Sequence, residues 1–262
     1  MSTPDPVAAA LSGVVVVILV DYLRQHQAWG WMRLVQGPGV LRDEPGLQFA
    51  KVMGSGHEGG FSLRPSTTHQ GLICMFANAA QADAFLTGPH VQQMRERARE
   101  SWTGILSVTA SRGSWDGQVW GTTPASVLGA YASAGQAESG AIAALTRASI
   151  RPAKTATFWR MAPAAQSELD HAPGCEIAAG LGEAPLLRQC TFSVWRDTES
   201  MDSYARHGSH QQAIAAAYRH GFFSESMFAR LRLLACSGDW KGKSPLADTA
   251  ACEVHAAGGA HG

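Results

Sequence analysis

Charge is scarce in this chain. Only 16% of its 262 residues are Asp, Glu, Lys or Arg, and 21 basic residues balance 21 acidic ones. A protein held on nucleic acid by phosphate contacts needs a positive excess, so that class is excluded. Closely spaced cysteines are missing as well. Cys74, Cys175, Cys190, Cys236 and Cys252 are odd in number, and none belongs to a Cys-x-x-Cys pair. That excludes zinc ribbons, iron–sulfur clusters and Cys-x-x-Cys-His haem attachment, and predicts reduced, buried thiols in a cytoplasmic protein. No His-x-x-x-His or His-Glu-x-x-His occurs, which excludes a histidine-box di-iron membrane oxygenase and a zincin. The run Val7–Val20 is broken by Ser12 and Gly13 and follows Asp5. It is shorter than the roughly 20 residues of a spanning helix and lacks the basic lead of a signal peptide. Its core, Val14–Val20, reads as a buried first β-strand.

What is present is apolar and repetitive. Hydrophobic residues make up 45% of the chain, enough to fill a core, with 8 Trp and 28 Gly. So little charge implies a greasy surface and apolar partners. A set of short motifs recurs in one order. Pro45-Gly46 leading to Gly54-Ser55-Gly56 is answered by Pro173-Gly174 leading to Gly180-Leu181-Gly182. Cys74-Met75-Phe76 is answered by Cys190-Thr191-Phe192, and Phe85 with Gly88-Pro89-His90 by Tyr204 with Gly208-Ser209-His210. Gly113-Ser114-Trp115-Asp116-Gly117 is answered by Gly238-Asp239-Trp240-Lys241-Gly242.

Each unit reads as strand, helix, two strands, helix and strand, the ferredoxin-like order. The expected fold class is α+β: tandem ferredoxin-like repeats packed as a dimeric-α/β-barrel-like domain within one chain. The first unit is assigned to 14–117, a connection to 118–154, the second unit to 155–242 and a disordered tail to 247–262. The second unit's strands are predicted at Thr155–Met161, Glu176–Ala179, Cys190–Trp195 and Ser226–Leu233, with helices near Ala164–His171 and Ser209–Arg219. Superposition should place Met53 with Ala179 and Phe76 with Phe192.

Gly54-Ser55-Gly56-His57-Glu58-Gly59 has the spacing of a dinucleotide fingerprint. The residues after it, Gly60-Phe61-Ser62-Leu63-Arg64-Pro65, cannot open a helix, so a Rossmann site is rejected. The segment reads as a loop at a strand end, from which Arg64 could reach an acidic group on a cofactor. Ser209-His210-Gln211-Gln212 is a capping box. The spacing of His210, Ile214 and Tyr218 puts His210 on an apolar helix face, where a neutral imidazole suits iron or bonds a backbone carbonyl. His207, and His90 in the first unit, are the alternatives. His69 opens a strand and says little. Trp115 and Trp240 read as hydrophobic plugs.

The chain also resembles the spheroidene monooxygenases, the acyclic carotenoid 2-ketolases. The likeness lies in Pro45-Gly46 through Gly54-Ser55-Gly56 with Gly60-Phe61, Ser101-Trp102, Ala143-Ala144-Leu145-Thr146-Arg147-Ala148 and Phe158-Trp159-Arg160. It continues through Gly182-Glu183-Ala184-Pro185, Thr191-Phe192-Ser193-Val194-Trp195, His210 with Ala213-Ile214, Phe222-Phe223-Ser224-Glu225-Ser226, and Trp240 with Ser244-Pro245-Leu246. The resemblance implies an O₂-dependent haem enzyme that takes electrons from reduced ferredoxin. It would introduce a keto group at C-2 of acyclic carotenoids such as spheroidene, by two hydroxylations and loss of water. It favours His210 as the haem iron ligand, and the low charge without any 20-residue apolar run predicts a cytoplasmic protein resting peripherally on a membrane. The other readings are a haem-binding barrel of peroxidase or haem-degrading type, and a non-enzymatic barrel for an apolar ligand.

Overall fold

A computed structural model describes residues 9–133, 140–160, 168–184, 186–206, 219 and 221–246. Eight strands form a closed barrel: β1 (Val14–Tyr22), β2 (Leu47–Gly56), β3 (Pro65–Phe76), β4 (Ala98–Gly113), β5 (Ile142–Ile150), β6 (Cys175–Ala184), β7 (Arg188–Trp195) and β8 (Phe223–Gly238). Around the barrel the order is β4-β1-β3-β2, then β6-β7-β5-β8, which closes on β4. Every pairing is antiparallel. Each half therefore has the order fourth, first, third, second, and the expected α+β barrel built from two like halves is what the chain forms.

The valine run of β1 is buried on both faces, which is why it reads as continuous rather than alternating. Val15, Val17 and Leu19 point into the barrel, where they join Trp102, Phe192 and Leu231 in one packed core. Val14, Val16, Ile18 and Val20 face outward, in a second core with residues of α2 (Ala79–Thr87) and α3 (Pro89–Arg97). The lumen is thus filled with side chains and is not a ligand tunnel. On the second half Ile142, Ala178 and Trp195 form a smaller outer core with Met201 of α4 (Thr198–Arg206). Neither α2 nor α4 is among the helices expected from the sequence. Both start on a side-chain cap: Asn78 accepts from Gln81 N–H at 3.0 Å, and Asp197 from Ser200 N–H at 2.7 Å.

Three placements differ from expectation. The first strand of the second half is β5, inside the stretch read as connection, while residues 155–160 are helical. β5 is a strand because it pairs along its length with both β7 and β8, and its alanines fit a crowded sheet. Phe158, expected in a strand, instead packs its ring against Trp159, Phe222 and Phe223. The register also shifts the repeat. A bulge after Leu47 in β2 matches one after Cys175 in β6, so Met53 corresponds to Leu181 and Phe76 to Trp195. The Gly-x-Gly motifs thus align two residues out of the structural register, because Gly54 pairs in the repeat with Gly182 and not with Gly180. Finally, Cys74, Cys175 and Cys190 are free, but Cys236 is disulfide-bonded, which an odd count without close spacing did not reveal. The helix expected at Ser209–Arg219, residues 161–167 and the 247–262 tail fall outside the described residues, apart from Arg219.

The clearest sign of the repeat is a pair of turns. Trp115 bridges Gln118 and Trp240 bridges Lys243, and both rings are buried, as plugs. Each turn follows a glycine with φ near +80°, Gly113 and Gly238. A Cβ there would sit 2.0 Å from the Ser226 oxygen or 2.1 Å from the Ser101 oxygen, so no other residue fits. Each turn is capped by the other half. Glu225 accepts from Gly117 N–H at 2.8 Å, and Glu100 accepts from Lys241 and Gly242 N–H at 2.9 and 2.8 Å.

Candidate functional site

The two halves meet weakly on one side. β2 and β6 hold only Gly54–Gly182 and Ser55–Leu181 in register, whereas β4 and β8 pair along eleven positions. A crevice of about 320 Å³ opens over the weak seam. Its floor includes Gly54, Gly56, Gly180 and Gly182. Its walls are Trp31, Leu34 and Val35 of α1 (Gln27–Gln36), Phe61 and Leu63 of the loop after β2, and Trp159, Leu181 and Leu186 of the second half. Trp31, Met32, Val35, Leu63, Leu186 and Leu187 are exposed, so the mouth carries an apolar rim.

The other end of the crevice is polar. The Ser55 hydroxyl donates to the Gly180 carbonyl at 2.5 Å. Glu183 accepts from the Trp115 ring N–H at 2.8 Å and from Lys51 at 2.9 Å. Behind it Arg147, fully buried, is bonded to Glu225, lies 3.2 Å from Asp116, and has Nε 3.5 Å from Glu183. Lys51 also bonds Asp116, and Arg188 lies 3.3 Å from it. Three cations thus meet three carboxylates, as the burial of Arg147 requires. Burial would raise the Glu225 carboxyl, but bonds from Gly117 N–H, Ser114 Oγ, Arg147 and Asp116 N–H outweigh it and bring it down to about 2.

This arrangement suits a long apolar molecule lying along a glycine floor, with its tip at a fixed polar wall. Glu183 has both oxygens committed, so it orients rather than transfers protons. Among the described residues, those that line the crevice include no His, Cys, Met or Tyr.

The sequence-named residues are placed as follows. His210 and His207 fall outside the described residues. Arg64 is exposed beside the crevice, between the lining residues Leu63 and Pro65. His90 lies on α3, outside the barrel, 3.4 Å from Glu44 and in neither the crevice nor the core. It does not point at the barrel because α3 packs outward-facing β1 through Val91 and Met94. His57 follows β2 in a short 3₁₀ turn, so no helix opens after the Gly-x-Gly, as the rejection of a dinucleotide site requires. His69 was passed over, yet it is buried beside Asp21, and burial pushes its pKa down. Arg147 and Glu225 had been quoted only inside motifs. A basic residue in the alternating strand Ile142–Ile150 was the available signal for the former.

No family model matches the chain. It is 46% identical over 240 residues to a spheroidene monooxygenase of Rubrivivax gelatinosus, covering 91% of this chain and 89% of that protein. It is 34% identical to a spheroidene monooxygenase of Rhodobacter capsulatus, covering 84% and 89%. Among solved structures, an aldoxime dehydratase superposes with a TM-score of 0.52 at 12% identity, over 84% of this chain and 81% of that one. At that identity the likeness concerns the barrel alone.

Proposed function

The chain belongs to the spheroidene monooxygenase family, and from that premise we propose that it is a haem-dependent carotenoid monooxygenase that forms a C-2 ketone on acyclic carotenoids such as spheroidene. The observation that carries the site assignment is the apolar crevice over the β2–β6 seam, with its polar end at Ser55, Glu183 and Gln189. A polyene end group enters past Trp31 and Leu63 and lies on the glycine floor. Phe61 and Trp159 exclude water from it. Trp115, held by Glu183, keeps the inner wall fixed, since its ring is buried and its N–H is bonded.

Bound haem would supply O₂ activation, with electrons from reduced ferredoxin. Two hydroxylations at one carbon give a gem-diol, which loses water to leave the ketone. The described lining is apolar and flat-floored, as a porphyrin also requires, but offers no iron ligand. That role falls to His210, with Arg64 as an outer contact for an acidic cofactor group. Purified protein should therefore show a Soret band, and His210→Ala should lose haem while far-UV dichroism stays native. Full haem occupancy with an unchanged ligand spectrum in that variant would move the ligand to His207. No Soret band in the wild type would favour a non-enzymatic apolar-ligand barrel. Ketone formation in cells making spheroidene separates the monooxygenase from a peroxidase or haem-degrading barrel.

No helix among the described residues is long and apolar enough to cross a membrane. We place the protein peripherally, with the rim of Trp31, Met32, Val35 and Leu63 against the lipid from which the substrate comes. Wild-type protein should float with liposomes, and Trp31→Glu with Val35→Glu should cut the bound fraction at least about tenfold. Equal flotation of both would remove the rim from this role.

A further inference from the structure

The barrel has a second polar cluster, at the first-half counterpart of the Arg147 cluster. β1 registers Asp21 with Glu100, as β5 registers Ser149 with Glu225. Glu100 and Glu225 are counterparts, each capping the other half's tryptophan turn. In the second half the space beside Glu225 is filled by the buried guanidinium of Arg147. The first-half counterpart of Arg147 in the register is Leu19, so no buried cation is built in there. What lies there instead is Asp21, fully buried, and His69.

Asp21 gives one carboxylate oxygen to Arg99, whose side chain is 63% exposed and so remains in water. Its other oxygen, Oδ1, is buried with no hydrogen bond and lies 3.5 Å from His69 Nδ1. An acceptor left bare in this way is rare and calls for a partner. His69 is held by the edge of the Trp240 ring at 5.6 Å, and Ser66 Oγ lies 2.9 Å from its Nδ1. Asp21, His69 and Glu100 each offer one ligand atom, all within 4.8 Å of one another. A cavity of about 890 Å³, lined by His57, His69, Arg99, Glu100, Asp170 and Lys241, opens on the cluster and gives an ion a way in.

We propose that Asp21, His69 and Glu100 bind one divalent transition-metal ion, of the Zn²⁺ or Mn²⁺ class, in the position that a guanidinium fills in the other half. Two carboxylates and one imidazole match the ligand preferences of those ions. Ligand atoms held at about 2.1 Å from one ion lie roughly 3–4 Å apart, so the three groups need to close by only about 1 Å. Three protein ligands leave coordination positions facing the cavity. None of the three ligands lines the seam crevice, although Gly60 and Phe61 border both cavities, and the site does not depend on the carotenoid reading.

The test is a Zn²⁺ titration of the full-length purified protein, with its resident cofactor, by calorimetry and equilibrium dialysis. The wild type should bind one Zn²⁺ more per chain than Asp21→Asn or Glu100→Gln, with affinity at that site falling by more than about 100-fold in each. His69→Gln is the third variant, to be used if Asp21→Asn melts early, and its thermal transition is measured alongside. Asp170→Asn, across the cavity, should bind as the wild type does. Equal stoichiometry and affinity in the wild type and the three ligand variants would overturn the site and assign uptake to the histidines between 207 and 261. Equal weakening in Asp170→Asn would also overturn it, since only general attraction would remain.

Discussion

Gly54→Phe should abolish carotenoid oxidation without unfolding the protein. Gly54 sits in β2 on the floor of the crevice, and a Cβ built there meets only Leu34 Cδ1, at an ordinary 3.6 Å. The strand therefore accepts a side chain, and that side chain has only the crevice to enter. A neighbouring choice would not work, because a Cβ at Gly180 would lie 2.6 Å from the Gly60 oxygen and push the loop. The expected loss in kcat/KM is more than about 100-fold, since displacing a substrate by about 1 Å is enough for that. The melting temperature should stay within about 3 °C of wild type, equivalent to a change of order 1 kcal/mol in a chain of this size. Carotenoid turnover and thermal melts on the same preparation check both halves. Turnover near the wild-type rate would show that the substrate lies elsewhere.

Arg147→Met should cost about 3–5 kcal/mol of folding stability, the usual price of removing one partner from a buried ion cluster. The loss of packing is small, because the two side chains are similar in bulk. What remains is Glu183, Glu225 and Asp116 against Lys51 and Arg188. The denaturant midpoint measures the effect. A change under about 1 kcal/mol would mean that water reaches the cluster. The same cluster sets an acid limit. Glu225 has its carboxyl held at about 2, below its ordinary value of 4.5, so the folded state binds fewer protons between those values. Its contribution is complete above about 4.5 and is lost as pH falls from there towards 2. In Arg147→Met that acid-dependent loss should be smaller, because one of the bonds that lowers Glu225 is gone.

Much of the barrel could be read from the chain because its signals are local. The valine run of β1, the Pro-Gly leads into β2 and β6, and the two Gly-x-Trp-x-Gly turns are each a short pattern with one structural solution. β5 was hidden because Ala143, Ala144 and Ala148 carry little strand signal. They become strand only through partners on both sides, β7 and β8, that are distant in sequence. α2 and α4 were hidden for another reason: the cap Asn78 sits among alanines and the cap Asp197 in a run of polar residues, so neither stands out as a helix start. The seam crevice was visible only as a glycine-rich loop, since its walls come from α1, the Phe61 loop and Trp159, which no spacing links. Arg147 and His69 looked unremarkable for the same reason. Their partners Glu225 and Asp21 lie 78 and 48 positions away in the sequence.

The reciprocal capping of the tryptophan turns bears on how the chain is made. During synthesis the Trp115 turn leaves the ribosome more than a hundred residues before Glu225, which accepts the Gly117 N–H. The first half can pair β4, β1, β3 and β2 in that interval, but its last turn stays unfinished. Completion waits for β8, and the Trp240 turn then finds Glu100 already in place. Contacts of such sequence separation make barrel closure slow and late. Two fragments cut between residues 133 and 140, each missing the carboxylate that finishes its turn, should therefore fold poorly alone and rescue one another when mixed.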